Sequence, residues 1–239
     1  MTILPWGRRG AIQFCEDLTR MVPVKNLGEL KWYSGCFYER DREAGRLKIS
    51  QQTYTEELGE KFDDVDWGGS IPLPTTCRLW EFDVDEPTIG HIFRELIRSL
   101  LWIALLSRPD IVNAVRAVAR YCSAPKMIHW KAALGILGYA VRTSRFFGIT
   151  FQRGTVEGFH LVSFADADYA SKATDGRSVS GGVVMCAGGS VSWYLKTLKC
   201  VTLSTTQAEY VAKSDVAKEI LFLMQVWRFM LPRAGNTGG

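Results

Sequence analysis

No stretch of this 239-residue chain holds the run of about 18 apolar residues that a membrane span requires. The opening MTILPWGRRG lacks the apolar core of a signal peptide, so a cytoplasmic or nuclear setting, away from membranes, is expected. Cysteine is sparse and dispersed, at positions 15, 36, 77, 122, 186 and 200, with no CxxC pair. That spacing argues against a zinc framework or a disulfide scaffold and for reduced, mostly buried thiols. Acids are missing altogether between Ser123 and Arg153, where Lys126, Lys131, Arg142, Arg145 and Arg153 stand among Trp130, Tyr139, Phe146 and Phe147. Bases interleaved with aromatics suit a nucleic-acid backbone and its bases, although a solvated helix face over an aromatic core has the same composition.

What is present describes a globular chain, 47% hydrophobic and 23% charged, long enough for one large domain or two small ones. Its net charge of +4 is unevenly spread. Glu56 to Glu86 carries ten acids and two bases, so the rest of the chain is strongly basic.

Residues 31–51 read as a β-hairpin, with aromatic WYSGCFY, a polar DREAG turn and alternating RLKIS. QTYTEELGEKF follows as a helix, with Tyr54, Leu58 and Phe62 in register and Thr53 as its expected cap. The proline- and glycine-rich stretch 67–90 is the expected internal boundary. Two helices then meet at Pro109, the second expected to be capped by Asp110. A third, MIHWKAALGILGYAVR, buries Ala133, Ile136, Leu137 and Ala140 on one stripe. Its Gly135 and Gly138 cost up to about 1 kcal/mol each, so it must lean on tertiary packing.

The C-terminal part turns to strands: FFGITFQ, GFHLVSFAD, GGVVMCAGG and SVSWYLKT have the spacing of an antiparallel meander. A long helix follows, capped by Ser204 or Thr205, with Ala212, Val216, Ile220, Leu223, Trp227 and Met230 as its stripe. Glu209 lies one turn before Ala212, at the N-terminal end of the face expected to pack on the sheet. Asp166 and Asp168 close the strand FHLVSFAD with one alanine between them. Carboxylates from two elements can share a magnesium ion, which takes hard oxygen ligands and keeps several waters. Two such ions about 4 Å apart can clamp a phosphodiester. The plainer alternative is that the aspartates cap the strand and Glu209 is a first-turn acid favoured by the helix dipole.

Residues 161–212 resemble the ribonuclease H segment of copia-type retrotransposon Pol polyproteins. The SFADADY stretch at 163–169 is similar to that family's SDADW, RSVSG at 177–181 to its RKSTSG, and TLSTTQAEY at 202–210 to its ALSSTEAEY. Upstream, NLGELKWYSG at 26–35 resembles DLGELKYFLG, SRPDIVNAV resembles TRPDI.YAV, and HWKAALGILGY resembles HWxAAKRILRYL. The resemblance runs from about residue 26 to 231.

It implies an α+β chain in three parts: residues 1–75 as the end of a reverse-transcriptase palm with its hairpin, 76–150 as a helical thumb or connection, and 151–239 as a truncated ribonuclease H-like domain of three antiparallel strands and a long helix. The parent activities are RNA-directed DNA synthesis and hydrolysis of RNA in RNA–DNA hybrids. By resemblance, Asp166 and Glu209 are catalytic carboxylates, and Asp166, Asp168 and Glu209 are magnesium ligands. Lys126, Lys131, Arg142 and Arg145 are the expected contacts to a hybrid or duplex, and association with the rest of a Pol polyprotein is implied.

The sequence departs from the family pattern in places. No YxDD polymerase motif stands before residue 26. LPRAGNTGG takes the place of the family's DNQSA-like segment, and Asp215 is six residues along the same helix from Glu209, facing elsewhere. The family's basic pair is Leu134–Gly135 here, and Arg98 replaces a small glycine. The expectation is therefore a catalytically defective fragment. The alternatives are a non-catalytic nucleic-acid-binding remnant and a decayed gene fragment without function.

Overall fold

The expected hairpin forms in the computed structural model, which describes residues 8–25, 27–62, 69–155, 160–172 and 176–230. Strands β1 (Trp32–Tyr33), β2 (Cys36–Asp41) and β3 (Arg46–Ser50) run antiparallel. The Asp41 carboxylate accepts the Ala44 amide at 2.8 Å to close the β2–β3 turn, and Gly45 supplies its left-handed residue at φ 65°. A helix not anticipated from the sequence, α1 (Arg8–Met21), precedes the hairpin.

α2 (Gln52–Lys61) follows β3 directly, α3 is His91–Leu106, and a single 3₁₀ turn at Pro109–Ile111 leads into α4 (Val112–Ala119). α5 is Met127–Arg142. These helices enclose the main core: Phe93, Leu96, Ile97, Leu100 and Ile103 of α3, Val115 and Val118 of α4, and Ile136 and Leu137 of α5. The α5 stripe is buried as expected, but so are Ala132, Leu134, Gly138 and Tyr139. An apolar surface on nearly every side is what a central helix needs.

Two expected caps are corrected. Thr53 lies inside α2, whose N-cap is Gln51, and Asp110 does not cap α4 because Arg108 holds its carboxylate.

Strand β4 (Ile149–Gln152) corrects the expected meander. It pairs with β3, Arg46 opposite Gln152 and Ile49 opposite Ile149, and so completes a four-stranded sheet in the order β1-β2-β3-β4. The second sheet has the three strands β5 (Leu161–Lys172), β6 (Arg177–Cys186) and β7 (Gly189–Thr197) in sequential antiparallel order. The Gln152 amide donates to the Ala187 carbonyl at 2.8 Å and joins the two sheets.

α6 (Thr205–Met230) lies across β5 and β6. Its start is fixed as the sequence suggested: the Ser204 hydroxyl accepts the Gln207 amide at 3.1 Å, and the Gln207 side chain accepts the Leu203 amide at 2.7 Å. Ala208, Ala212 and Val216 are buried against the sheet. The helix sits close because Gly182 is under it; a Cβ there would come within 2.6 Å of the Tyr194 ring and 2.7 Å of Val216 Cγ2. Gly182→Ala is accordingly expected to destabilise the protein by roughly 1–3 kcal/mol through overpacking. Urea unfolding checks this; an unchanged midpoint contradicts the close contact. The architecture is thus mixed α+β, with six α-helices and two antiparallel sheets among the described residues. None of the described helices is long and apolar enough to cross a membrane.

The segments at 63–68, which include three of the acids counted above, and at 231–239, with LPRAGNTGG, lie outside the described residues.

Candidate functional site

Side chains alternate along a strand, so residues 165 and 167 share one face of β5 and residues 166 and 168 the other. The α6 side is identified by its contacts. Gly182, opposite Ala165, lies under Val216, and Lys196, opposite Ser180 and Ala167, pairs with Asp215 of α6 at 2.9 Å. Ala165 and Ala167 therefore face the helix, and Asp166 and Asp168 face away from it, both exposed.

Glu209 stands half-buried in the first turns of α6, and its Oε1 accepts the backbone N–H of Ala167 at 3.3 Å. The structure thus brings Glu209 to the right stretch of strand, between the two aspartates in sequence. It does not bring the three carboxylates to one side of the sheet. Among the described residues no three acidic, histidine or cysteine side chains are grouped to hold a metal ion. As placed, Asp166, Asp168 and Glu209 do not form a three-carboxylate magnesium site.

The face that carries Asp166 looks onto α4. A groove of about 240 Å³ runs there between Pro109, Val112 and Asn113 on one side and Phe164, Asp166 and Trp193 on the other. The Trp193 indole N–H donates to the Ala104 carbonyl at 3.0 Å, and Arg116 donates to the Thr197 hydroxyl at 2.7 Å, so both hold the sheet against the helical layer. Burial lowers the pKa of Arg116, with Arg120 adding to the effect and Asp168 opposing it.

The four expected nucleic-acid contacts fare differently. Lys126 is a correction: it is 5% exposed, and its ammonium donates to the carbonyls of Val84, at 2.8 Å, and of Glu86. A buried ammonium needs such acceptors, and these hold it away from any phosphate. Arg142 donates to the Gly69 carbonyl, and Arg145 lies 3.6 Å from Glu56, both at the surface. Lys131 is exposed on α5. The run of bases is therefore not one continuous patch. Lys126 ties the 79–89 loop to α5, and Arg142 and Arg145 reach back to their own chain.

Two residues that sequence reasoning did not single out hold the helical layer. Arg108 is 3% exposed and forks onto Asp110 with both bonds at 2.8 Å. His129 is fully buried, stacked on Tyr121 at 3.9 Å between ring centroids. For His129 the available signal is an imidazole between Ile128 and Trp130 in an apolar helix; for Arg108 it is the acid two residues on, Asp110.

Over 87% of its length the chain is 30% identical to a retrovirus-related Pol polyprotein from transposon TNT 1-94 of Nicotiana tabacum, of which it spans 16%. It is 34% identical, over 53% of its length, to the secreted RxLR effector protein 161 of Plasmopara viticola, 87% of which is covered. A putative transposon Ty5-1 protein of Saccharomyces cerevisiae is 25% identical over 86% of the chain and 66% of that protein. No family model matches the chain, and no solved structure does.

Proposed function

We propose, for a chain that belongs to the retrovirus-related Pol polyproteins of transposons, that it is a copia-type segment joining the end of a reverse-transcriptase region to the first part of a ribonuclease H-like domain. In this reading α3, α4 and α5 are the thumb or connection layer, and β5, β6, β7 and α6 begin the nuclease fold. The observation that carries it is the order strand, strand, strand, helix, with Asp166 on the first strand and Glu209 bonded beside it at Ala167. The substrate class is an RNA–DNA hybrid, and magnesium is the parent's cofactor.

This chain by itself is a non-cleaving form of that domain. Asp166 points from the face of β5 turned away from α6, and Glu209 comes from α6 on the other face to accept the Ala167 N–H. Incubation with an end-labelled RNA–DNA hybrid and millimolar magnesium is expected to leave the RNA intact. Cleavage that disappears in Asp166→Asn overturns this.

The non-catalytic binding reading draws support from Lys131, which is exposed on α5, and loses Lys126. Hybrid binding should then weaken steeply with salt and fall in Lys131→Glu. Salt-independent binding counts against it.

A further inference from the structure

β5 is an edge strand. Among the described residues it pairs with β6 alone, from Leu161 opposite Cys186 to Lys172 opposite Arg177. In an antiparallel pair the backbone groups of alternate residues point to the neighbour and away from it. The Ala167 N–H goes to Glu209, not to β6, so Ser163, Ala165 and Ala167 present their N–H and C=O groups to the open side. Such an edge is a template for another chain, and proteins commonly block it with a charged side chain. Glu209 Oε1 takes the Ala167 N–H that the carbonyl of an added strand would otherwise accept.

We infer that Glu209 serves in this chain as a clasp that closes the open edge of β5 at Ala167, and that it acts there in place of serving as a cation ligand beside Asp166. The bond crosses 42 residues of sequence and ties the first turns of α6 to the strand. It works alongside the Lys196–Asp215 pair, which fixes α6 to β7 at 2.9 Å. The two contacts pin opposite flanks of the helix, Glu209 towards the β5 edge and Asp215 towards β7. A carboxylate is suited to the task because a charged acceptor bonds an amide more strongly than a neutral one. The assignment holds whether or not the chain binds a hybrid, because it rests only on the edge, the helix and the bond between them.

The test separates a clasp from a cation ligand. Glutamine keeps the amide acceptor and loses the charge; alanine loses both. Amide exchange by NMR is expected to show Ala167 protected in the wild type and in Glu209→Gln. In Glu209→Ala it should exchange about tenfold faster or more, as a local opening does. Millimolar magnesium is expected to leave the melting temperature of the wild type unchanged. Two results overturn the inference: Ala167 exchange that is equal in all three proteins, or a magnesium-dependent rise in melting temperature that is lost in both Glu209→Gln and Asp166→Asn. Neither result depends on hybrid cleavage or binding, so failure here is distinguishable from failure of the proposed function.

Discussion

Arg108→Ala is expected to cost roughly 3–5 kcal/mol of folding stability, because it breaks a buried pair and strands its partners. The guanidinium links three parts of the helical layer at once. Nε and Nη2 meet the two oxygens of Asp110 at 2.8 Å each, Nη1 donates to the Ala140 carbonyl at 3.2 Å, and Nη2 also reaches the Thr143 hydroxyl at 2.7 Å. Ala140 lies in the last turns of α5, where unsatisfied carbonyls and the helix dipole favour a cation. The rings of Tyr139 and Phe147 lie 5.5 and 5.2 Å from the guanidinium carbon and cover it. Since Asp110 is one-third exposed, its own removal should cost less than that of Arg108, whose side chain is 4% exposed.

Arg108→Lys is the informative second variant. An ammonium supplies one point charge and cannot fork onto a carboxylate while bonding two more acceptors, so only part of the stability should return. In urea the midpoint should fall with little change in slope. For a chain of this size the loss corresponds to a melting temperature lower by roughly 6–20 °C. An Arg108→Ala protein within about 1 kcal/mol of wild type removes the hub from the account.

Periodicity made most of the elements legible. Alternation in RLKIS, the short glycine-bounded apolar run of GGVVMCAGG, the three-and-four steps of α6 and the Ser204 cap all describe local geometry, which neighbouring residues dictate on their own. What a pattern of period two does not name is the element that covers each face. Ile149–Gln152 alternates like the strands that follow it, yet it pairs with β3, about a hundred residues back. The same limit applies to the acids. Their spacing puts Asp166 and Asp168 on one face, but only α6 decides whether that is Glu209's face. A clue lies in the small residues: Ala165 and Ala167, opposite Gly182 and Ser180, share one side, and that is the side a helix can approach closely. The burial of Lys126 escapes the sequence for a different reason. Lysine usually keeps its charge in water, and nothing local shows that Val84 and Glu86, some forty residues earlier, would turn their carbonyls to it.

His129→Leu is expected to lower stability by roughly 2–4 kcal/mol at neutral pH, since it leaves two buried backbone groups unpaired. The imidazole bridges them: Nδ1 accepts the Lys126 amide at 2.8 Å, so Nε2 carries the proton and donates to the Leu79 carbonyl at 2.9 Å. That pair of bonds defines a neutral ring of one tautomer, wedged against Tyr121 and the edge of Phe82 at 5.2 Å. A second proton would set Nδ1–H against the Lys126 N–H, donor facing donor. Burial lowers the pKa of His129 below its ordinary value, and the Lys126 charge adds to this. The Leu79 bond and the charge of Glu86, whose carboxylate accepts the Met127 amide at 2.9 Å, only partly offset the shift.

The unfolded chain therefore binds a proton at His129 in a range where the folded chain does not. This stability is fully present above the unfolded value of about 6.5 and is lost as pH falls below it, towards the depressed folded value. Wild-type protein should accordingly unfold in less urea at pH 5 than at pH 7.5, and His129→Leu should show a flatter dependence over that range. The loop 79–89 should open first, because Leu79, Val84 and Glu86 are all held to the start of α5 through His129 and Lys126. If the slope between pH 5 and 7.5 is the same in both proteins, the carboxylates set it and His129 does not.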